Sequence, residues 1–277
     1  VFILADDCTY NLFGCYGGED VPTPHIDSLA AEGLKFNRAY AAAAMCAPFR
    51  AELYTGLYPV RNGVAWNHSR CNPGVKSVCH YLSDLGYRVG LSGKKHASPP
   101  ETFPFVNVAG FPSGDGVRNF MTKDDDQPFC LFLCSHSPHA PWTEGDASQF
   151  NADELSLAPS QHDNPPTREV MTRYLAEVND LDREVGEILD LIDQTQHRDD
   201  TLVIFSSEQG WALGFAKWSN WNLGVHTALV ARWPGRISPG TETDALVQMA
   251  DVTPTFIEAA LGESELLDLD GTSFLDV

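Results

Sequence analysis

Short apolar runs that end on polar or ionisable residues recur along this chain. Residues 1–5 run into Asp6-Asp7, and 87–92 into Gly93-Lys94-Lys95-His96. Residues 129–134 run into Ser135-His136, and 202–205 into Ser206-Ser207-Glu208-Gln209-Gly210. Unbroken apolar runs of this length read as strands buried on both faces. Between them the apolar spacing changes to that of a helix. One such stretch follows Pro24 and carries Ile26, Leu29 and Ala30; a second starts at Cys46. The clearest covers 166–194, with Val170, Tyr174, Val178, Leu181, Val185, Ile188 and Ile192 on one stripe. Strands alternating with helices predict an α/β fold, a mainly parallel sheet sandwiched between helices. There is no repeat or low-complexity linker, so 1–277 reads as one large domain near the upper size for a single core.

In such a sheet, ligands bind beyond the carboxyl ends of the strands. All four apolar runs deliver their ionisable groups to that kind of position. Segments 97–128 and 140–165 are rich in Pro, Gly, Asp and Asn and read as long loops over the site.

Charge narrows the partners. A formal net charge of −20 argues against nucleic acid and against an anionic membrane. It also opposes an anionic substrate, but salt confines that opposition to about 8–10 Å, so a locally basic pocket still works. No apolar run is long enough to cross a bilayer. No targeting segment precedes residue 1, which implies that the natural N-terminus lies outside this sequence. Seven cysteines are too sparse for a disulfide scaffold. Cys71 and Cys79 are near enough in sequence to bridge, and alternation puts Cys130 and Cys134 on one face. Apart from Cys46, the cysteines read as small buried hydrophobes.

The candidate chemistry lies at the strand ends. Asp6, Asp7, Glu208 and Gln209 offer only oxygen ligands, a set suited to Ca²⁺ or Mg²⁺; the competing reading is an exposed acidic turn. Cys46 heads a helix, where free N–H groups and the dipole favour an anion. Arg50 lies one turn on. Lys94, His96, His136 and Lys217 bring cations to bind anionic oxygens, and imidazoles to move protons near neutrality. His68, Arg70, His139, Trp142, Trp211 and Trp218 also sit in loops near the strand ends. They stay outside the candidate site, because Trp211 and Trp218 read equally well as core.

Cys46-Ala47-Pro48-Phe49-Arg50, followed by Leu53, Thr55 and Gly56, resembles the signature of the type I sulfatases of the alkaline phosphatase superfamily. Pro24-His25-Ile26-Asp27, Gly93-Lys94, His136-Ser137-Pro138-His139, Trp233-Pro234-Gly235 and Asp270-Gly271-Thr272-Ser273-Phe274 match family patterns in order. Gly93-Lys94-Lys95-His96 followed by Pro104-Phe105 looks most like the heparan N-sulfatase branch. Ala212-Leu213-Gly214 through Lys217 looks like the iduronate sulfatase branch.

The resemblance implies an alkaline-phosphatase-like fold and hydrolysis of a sulfate ester or sulfamate on a sulfated mono- or oligosaccharide. Cys46 would be oxidised to formylglycine by a formylglycine-generating enzyme, and its hydrate would attack sulfur. Asp6, Asp7, Glu208, Gln209 and position 46 would hold one Ca²⁺. Arg50 and Lys94 would support the formylglycine, and Lys217 would bind sulfate. His96 would act as the base, and His136 as the acid facing the leaving group. Family habit places such enzymes in the periplasm, the lysosome or outside the cell.

Three departures accompany the match. Glu208-Gln209 stands where Asp-His or Asp-Asn is usual, Phe49 replaces a common Ser, and the sequence stops near where the family's smaller C-terminal subdomain begins. The last departure implies a domain truncated at both ends. Two alternatives stay open: a phosphonate monoester or phosphodiester hydrolase of the same superfamily, and a non-catalytic binding protein that keeps the fold. The oligomeric state is not legible.

Overall fold

The computed structural model describes residues 1–124, 126–261 and 267–277. The strands are β1 (Phe2–Ala5), β2 (Leu34–Phe36), β3 (Ala39–Tyr40), β4 (Arg88–Gly93), β5 (Val106–Asn107) and β6 (Phe129–Cys134). They continue with β7 (Val203–Ser207), β8 (His226–Thr227), β9 (Leu229–Arg232), β10 (Thr241–Thr243) and β11 (Val247–Gln248). The helices are α1 (Pro24–Ala31), α2 (Cys46–Thr55), α3 (Pro59–Asn62) and α4 (Val78–Asp84). After them come α5 (Asp115–Met121), α6 (Pro165–Gln194), α7 (Asn222–Val225) and α8 (Val252–Leu261).

Eight strands form the main sheet in the order β10-β2-β9-β7-β1-β6-β4-β5, and β11-β3-β8 form a small second sheet. Every neighbouring pair in the main sheet is parallel except those made by β9, which runs against both β2 and β7. The central strands therefore all end at the same edge. Alternation sorts their side chains onto two faces. Ile3, Leu131, Leu133, Val203 and Phe205 join one core with α1, α5 and α6. Phe2, Leu4, Cys130, Phe132, Cys134 and Ile204 join the other with α2, α4 and α8. The sheet is thus sandwiched between helices, as the alternating pattern predicts.

The long helix α6 carries the expected stripe, with Tyr174, Val178, Leu181, Val185, Ile188 and Ile192 buried. It starts where Asn164 accepts a hydrogen bond from Thr167 N at 2.9 Å with Pro165 in the first turn. Asp182, buried beside that stripe, accepts from the backbone N–H groups of His25 and Ile26 at 3.1 and 2.9 Å, and so ties α6 to the start of α1. Helix α2 is different. All ten of its residues are buried, including Arg50 and Glu52, and it ends at Gly56 with φ +67°. It is a helix of the interior rather than of the surface.

Several local expectations change. Ser206 and Ser207 belong to β7 instead of following it. Segment 97–128 is mostly turns and loop, but it carries two elements: β5 extends the sheet edge, and α5 buries Val117, Phe120 and Met121. It then returns to the amino ends of the strands, where Arg88 N donates to Pro128 O, away from the carboxyl edge. Its apolar spacing was masked by the flanking Gly and Pro. Segment 140–165 runs along α6, pinned by Glu177 accepting from Thr143 N and by Asp20 accepting from Ser156 N. All seven cysteines are free, and Cys15 is only half-buried. No described helix is long and apolar enough to cross a membrane.

Candidate active site

The carboxyl edge of the sheet brings β1, β4, β6 and β7 together with the start of α2. Asp6 and Asp7 follow β1, Lys94 follows β4, His136 follows β6, and Glu208 and Gln209 follow β7. Asp6, Asp7, Cys46, Arg50, Glu208 and Gln209 are essentially sealed from solvent. One ligand atom from each of Asp6, Asp7, Cys46 and Glu208 lies within 4.8 Å of all the others. The exposed acidic turn is thereby set aside: these carboxylates face each other inside the protein.

Three cations answer three carboxylates. Arg50 Nε donates to Glu208 Oε1 at 2.7 Å, its Nη1 donates to the Lys94 carbonyl, and its Nη2 lies 4.0 Å from Asp6 Oδ1. Lys94 Nζ pairs with Asp6 Oδ2, and Lys217 Nζ with Asp7 Oδ2 at 2.6 Å. Lys94 Nζ also reaches to 3.9 Å from Cys46 Sγ. Burial pushes the Glu208 carboxyl up, and the charge of Asp6 adds to this against the pull of Arg50. Burial pushes Asp7 up as well, aided by Asp6 and opposed by Lys217. Asp6 goes the other way: burial raises it, but its hydrogen bond with Glu208 and the charges of Arg50 and Lys94 hold it below the usual range. Even with three cations nearby, this nest tends to keep a proton. More positive charge is what it lacks.

The donor set fits a hard cation. Gln209 supplies a specific sign. Its Nε2 lies 3.3 Å from Cys46 Sγ and 3.0 Å from Glu208 Oε2 and also donates to Asp7, while its buried Oε1 has no hydrogen-bond partner among the described residues. Turning the amide over would aim that oxygen into the carboxylates, an arrangement that a cation between them makes favourable. With one dication added, three carboxylates and three side-chain cations would leave a surplus of positive charge in the nest, a charge balance that suits an anion.

Cys46 opens α2 with backbone support. Asn67 Oδ1 accepts from Ala47 N at 3.0 Å and caps the first turn, which is a task the sequence did not reveal. Burial, then Glu208, Asp6 and Asp7, push the Cys46 thiol well above its usual range. The unmodified thiol is therefore held protonated and is a poor nucleophile.

The histidines sit at the rim. Burial, then Lys94 and Arg50, lower His96 to about 4, so it is neutral at ordinary pH. Its ring lies 5.5 Å from that of His68, and its buried Nδ1 has no hydrogen-bond partner among the described residues. His136 is exposed, and burial and nearby cations lower it against the pull of Asp6. His139, set outside the candidate site by sequence, comes closer: its Nε2 is 3.6 Å from Asp7 Oδ2. The chain turns back here, with His139 N donating to His136 O at 2.9 Å. Trp142 Nε1 holds the turn by donating to Pro138 O at 2.8 Å. The two imidazoles of His-Ser-Pro-His were the available signal; which one faces inward depends on the turn.

Asp7 has φ +59°, the left-handed region that a non-glycine residue enters only at a cost. Tyr174, read from the sequence simply as part of the α6 stripe, donates its hydroxyl to the Asp7 carbonyl at 3.0 Å. Trp142 and Trp211 pack edge-on against its ring. Trp211 is core, whereas Trp218 is exposed.

A mostly parallel sheet with this buried nest at its carboxyl edge defines an alkaline-phosphatase-like α/β fold. The model for the Sulfatase family matches residues 1–117 and 113–263, and the chain belongs to that family. It is 35% identical to an ulvan-active sulfatase of Formosa agariphila over 99% of its own length and 56% of the relative's. It is 27% identical to human N-sulphoglucosamine sulphohydrolase over 99% of its length and 64% of the relative's. The chain thus spans a little over half to about two thirds of the length of these relatives. A solved structure from work on glycosaminoglycan metabolism by Bacteroides thetaiotaomicron superposes with a TM-score of 0.86 at 22% identity, covering 99% of this chain and 75% of that one.

Proposed function

We propose that this chain carries the catalytic site of a sulfatase that hydrolyses the sulfate ester or sulfamate of a sulfated carbohydrate. The observation that supports this most is the sealed nest of Asp6, Asp7, Glu208 and Cys46, ringed by Arg50, Lys94 and Lys217. Asp6, Asp7, Glu208 and Gln209 would hold Ca²⁺, with Mg²⁺ as the second choice, and the ion would polarise a sulfate oxygen. Oxidised to formylglycine, position 46 would supply a hydroxyl nucleophile in place of a thiol that the carboxylates keep protonated.

The chain's own groups divide the remaining work. Lys94 and Lys217 would bind the outer sulfate oxygens and offset charge as the bond to sulfur breaks. Arg50 does not reach outward; it fixes Glu208 and the Lys94 backbone. His96, neutral at ordinary pH, is suited to accept a proton near position 46. His139, facing Asp7, is placed better than His136 to protonate the leaving oxygen or nitrogen. Against the Asp-Asn form of the family's usual pair, Glu208-Gln209 keeps both kinds of oxygen donor, one methylene further out.

The test is release of inorganic sulfate by protein co-expressed with a formylglycine-generating enzyme, with Cys46→Ala as the blank. N-sulfoglucosamine, its 6-O-sulfated isomer, and a matched sulfate ester and phosphonate monoester of one alcohol form the arms. Release from a sulfated sugar, lost in the blank, is the expected result. Preference for the phosphonate would move the chain to the other hydrolase class. No turnover of either sugar, with position 46 shown by mass to be converted, would refute the sulfamidase and monosaccharide 6-sulfatase assignments and leave a longer sulfated glycan as the substrate. The same mass measurement on unconverted protein would support the non-catalytic alternative. A periplasmic, lysosomal or extracellular site of action goes with this proposal.

A further inference from the structure

Around the mouth of the site, the chain places large aromatic side chains that bury little of their surface. Trp66, Trp218 and Trp221 are 67%, 65% and 65% exposed, and Phe215 is 59% exposed. Among the large apolar residues of the described chain, only Val60 is more exposed than Trp66. Isolated exposed apolar groups need no explanation, but several flat rings gathered at one opening do.

Two of them are wired to the nucleophile's own segment. Trp218 N donates to Ala44 O at 2.8 Å. Asn67, next to Trp66, accepts from Ala47 N at 3.0 Å. The indoles therefore stand on backbone tied to both ends of the four-residue stretch that contains Cys46. Trp218 also follows Lys217, whose Nζ pairs with Asp7 and lies 5.2 Å from the Trp218 ring.

The 215–221 loop is held firmly while it displays its rings. Ala216 is fully buried, Lys217 is buried in the nest, and Ser219 Oγ donates to Ala216 O at 2.6 Å. Phe215 and Trp218 have φ of +58° and +64°. Glycine would adopt this backbone without cost, whereas a bulky residue is strained there. Residues that add strain and bury little are not explained by stability.

We propose that Trp218 and Trp66 form an aromatic platform for the sugar ring next to the sulfated one, so that the preferred substrate is a sulfated oligosaccharide or polysaccharide instead of a monosaccharide. This rests on the sulfatase reading of the same site. Charge limits how such an occupant can be held. A protein of net charge −20 cannot gather a polyanionic glycan by its overall field. Beyond the short reach of the lysines, affinity must come from contacts that do not depend on charge. Flat indoles against the apolar face of a pyranose supply such a contact, and Trp brings it with little loss of side-chain freedom.

The experiment uses the whole chain carrying Cys46→Ala, titrated with size-defined sulfated mono-, di- and tetrasaccharides and with the desulfated tetrasaccharide. Binding is followed by tryptophan fluorescence and calorimetry. The tetrasaccharide should bind about tenfold more tightly than the monosaccharide, with a shift in the emission of exposed indoles. Trp218→Ala and Trp66→Ala should each remove most of that ratio, while Trp218→Phe should retain much of it. Sulfate release by the converted parent should show the same length dependence in KM.

If the monosaccharide binds and is turned over but length brings no gain, the platform is refuted and the sulfatase reading stands. If no sulfated sugar binds at all, both fall. If Trp218→Ala instead changes the sedimentation of the protein and leaves the ratio untouched, the rings cover a second copy of the chain, and the proposal is overturned.

Discussion

Replacing Arg50 with methionine tests the electrostatic account of the site most directly. The guanidinium is fully buried, donates to Glu208 at 2.7 Å and to the Lys94 carbonyl, and faces Asp6 at 4.0 Å. Methionine roughly fills the space but removes the charge, so the Asp6–Glu208 pair must take up one more proton. A carboxyl with an ordinary pKa near 4 costs about 1.4 kcal/mol per pH unit to keep neutral, hence about 4 kcal/mol at pH 7 and about 1.4 kcal/mol at pH 5. The larger value agrees with the roughly 3–5 kcal/mol seen when one partner of a buried pair is lost. The sign is fixed: a carboxyl forced above its unfolded pKa loses stability as pH rises. Chemical denaturation of parent and Arg50→Met in chelator at pH 5 and pH 7 reads both values. At about 2–4 °C per kcal/mol, the pH 7 loss corresponds to roughly 8–16 °C in melting temperature. Saturating Ca²⁺ should recover part of it, because the ion takes over the stranded carboxylates. A pH-independent loss, or a loss under about 1 kcal/mol at pH 7, would refute the reasoning.

Three further outcomes are expected. Ca²⁺ should stabilise the parent by about 2.7 kcal/mol at one hundred times its dissociation constant and so raise its melting temperature, and Asp7→Asn should abolish most of that gain in a thermal-shift titration. Tyr174→Phe leaves the Asp7 carbonyl unpaired and should cost about 1–3 kcal/mol while weakening Ca²⁺ binding measured by calorimetry; unchanged Ca²⁺ affinity would mean that the hydroxyl does not position Asp7. His96, held near 4 by burial, Lys94 and Arg50, should leave the acid limb of kcat/KM below pH 5. Because its folded pKa is depressed, the same group costs stability as pH falls from about 6.5 through about 4, and His96→Asn should flatten both profiles.

The main sheet was legible because its central strands are buried on both faces and so lack polar interruptions. The ends of those strands gave Asp6, Lys94, His136 and Glu208 their common edge. Helix α6 declared itself by period, and Cys46 by its place at a helix start. What sequence could not carry was direction. Arg50 reads as one turn beyond Cys46, but its partners are set by where β1, β4 and β7 end in space. His136 and His139 are equivalent on paper until the turn between them points one inward. Tyr174 looks like one more stripe residue because its hydroxyl meets a carbonyl 167 positions away. Trp211 and Trp218 differ only in which of them finds a core. Segment 97–128 shows the opposite failure: Gly and Pro at its margins outweighed a short helix that tertiary packing stabilises.

The strand order also bears on how the chain comes to be folded. The centre of the sheet is β1, yet Phe2 pairs with Phe132 on one side and Ile204 on the other. At roughly 5–20 residues per second, the ribosome takes about 10–40 s to make the 200 residues that separate β1 from its second neighbour. Until β6 is made both edges of Phe2-Ile3-Leu4-Ala5 are open, and the edge that β7 covers stays open for the whole interval. The earliest segment of the site is thus among the last to be secured, and while it waits, the nascent chain depends on chaperones or on weak contacts with its own helices to escape aggregation.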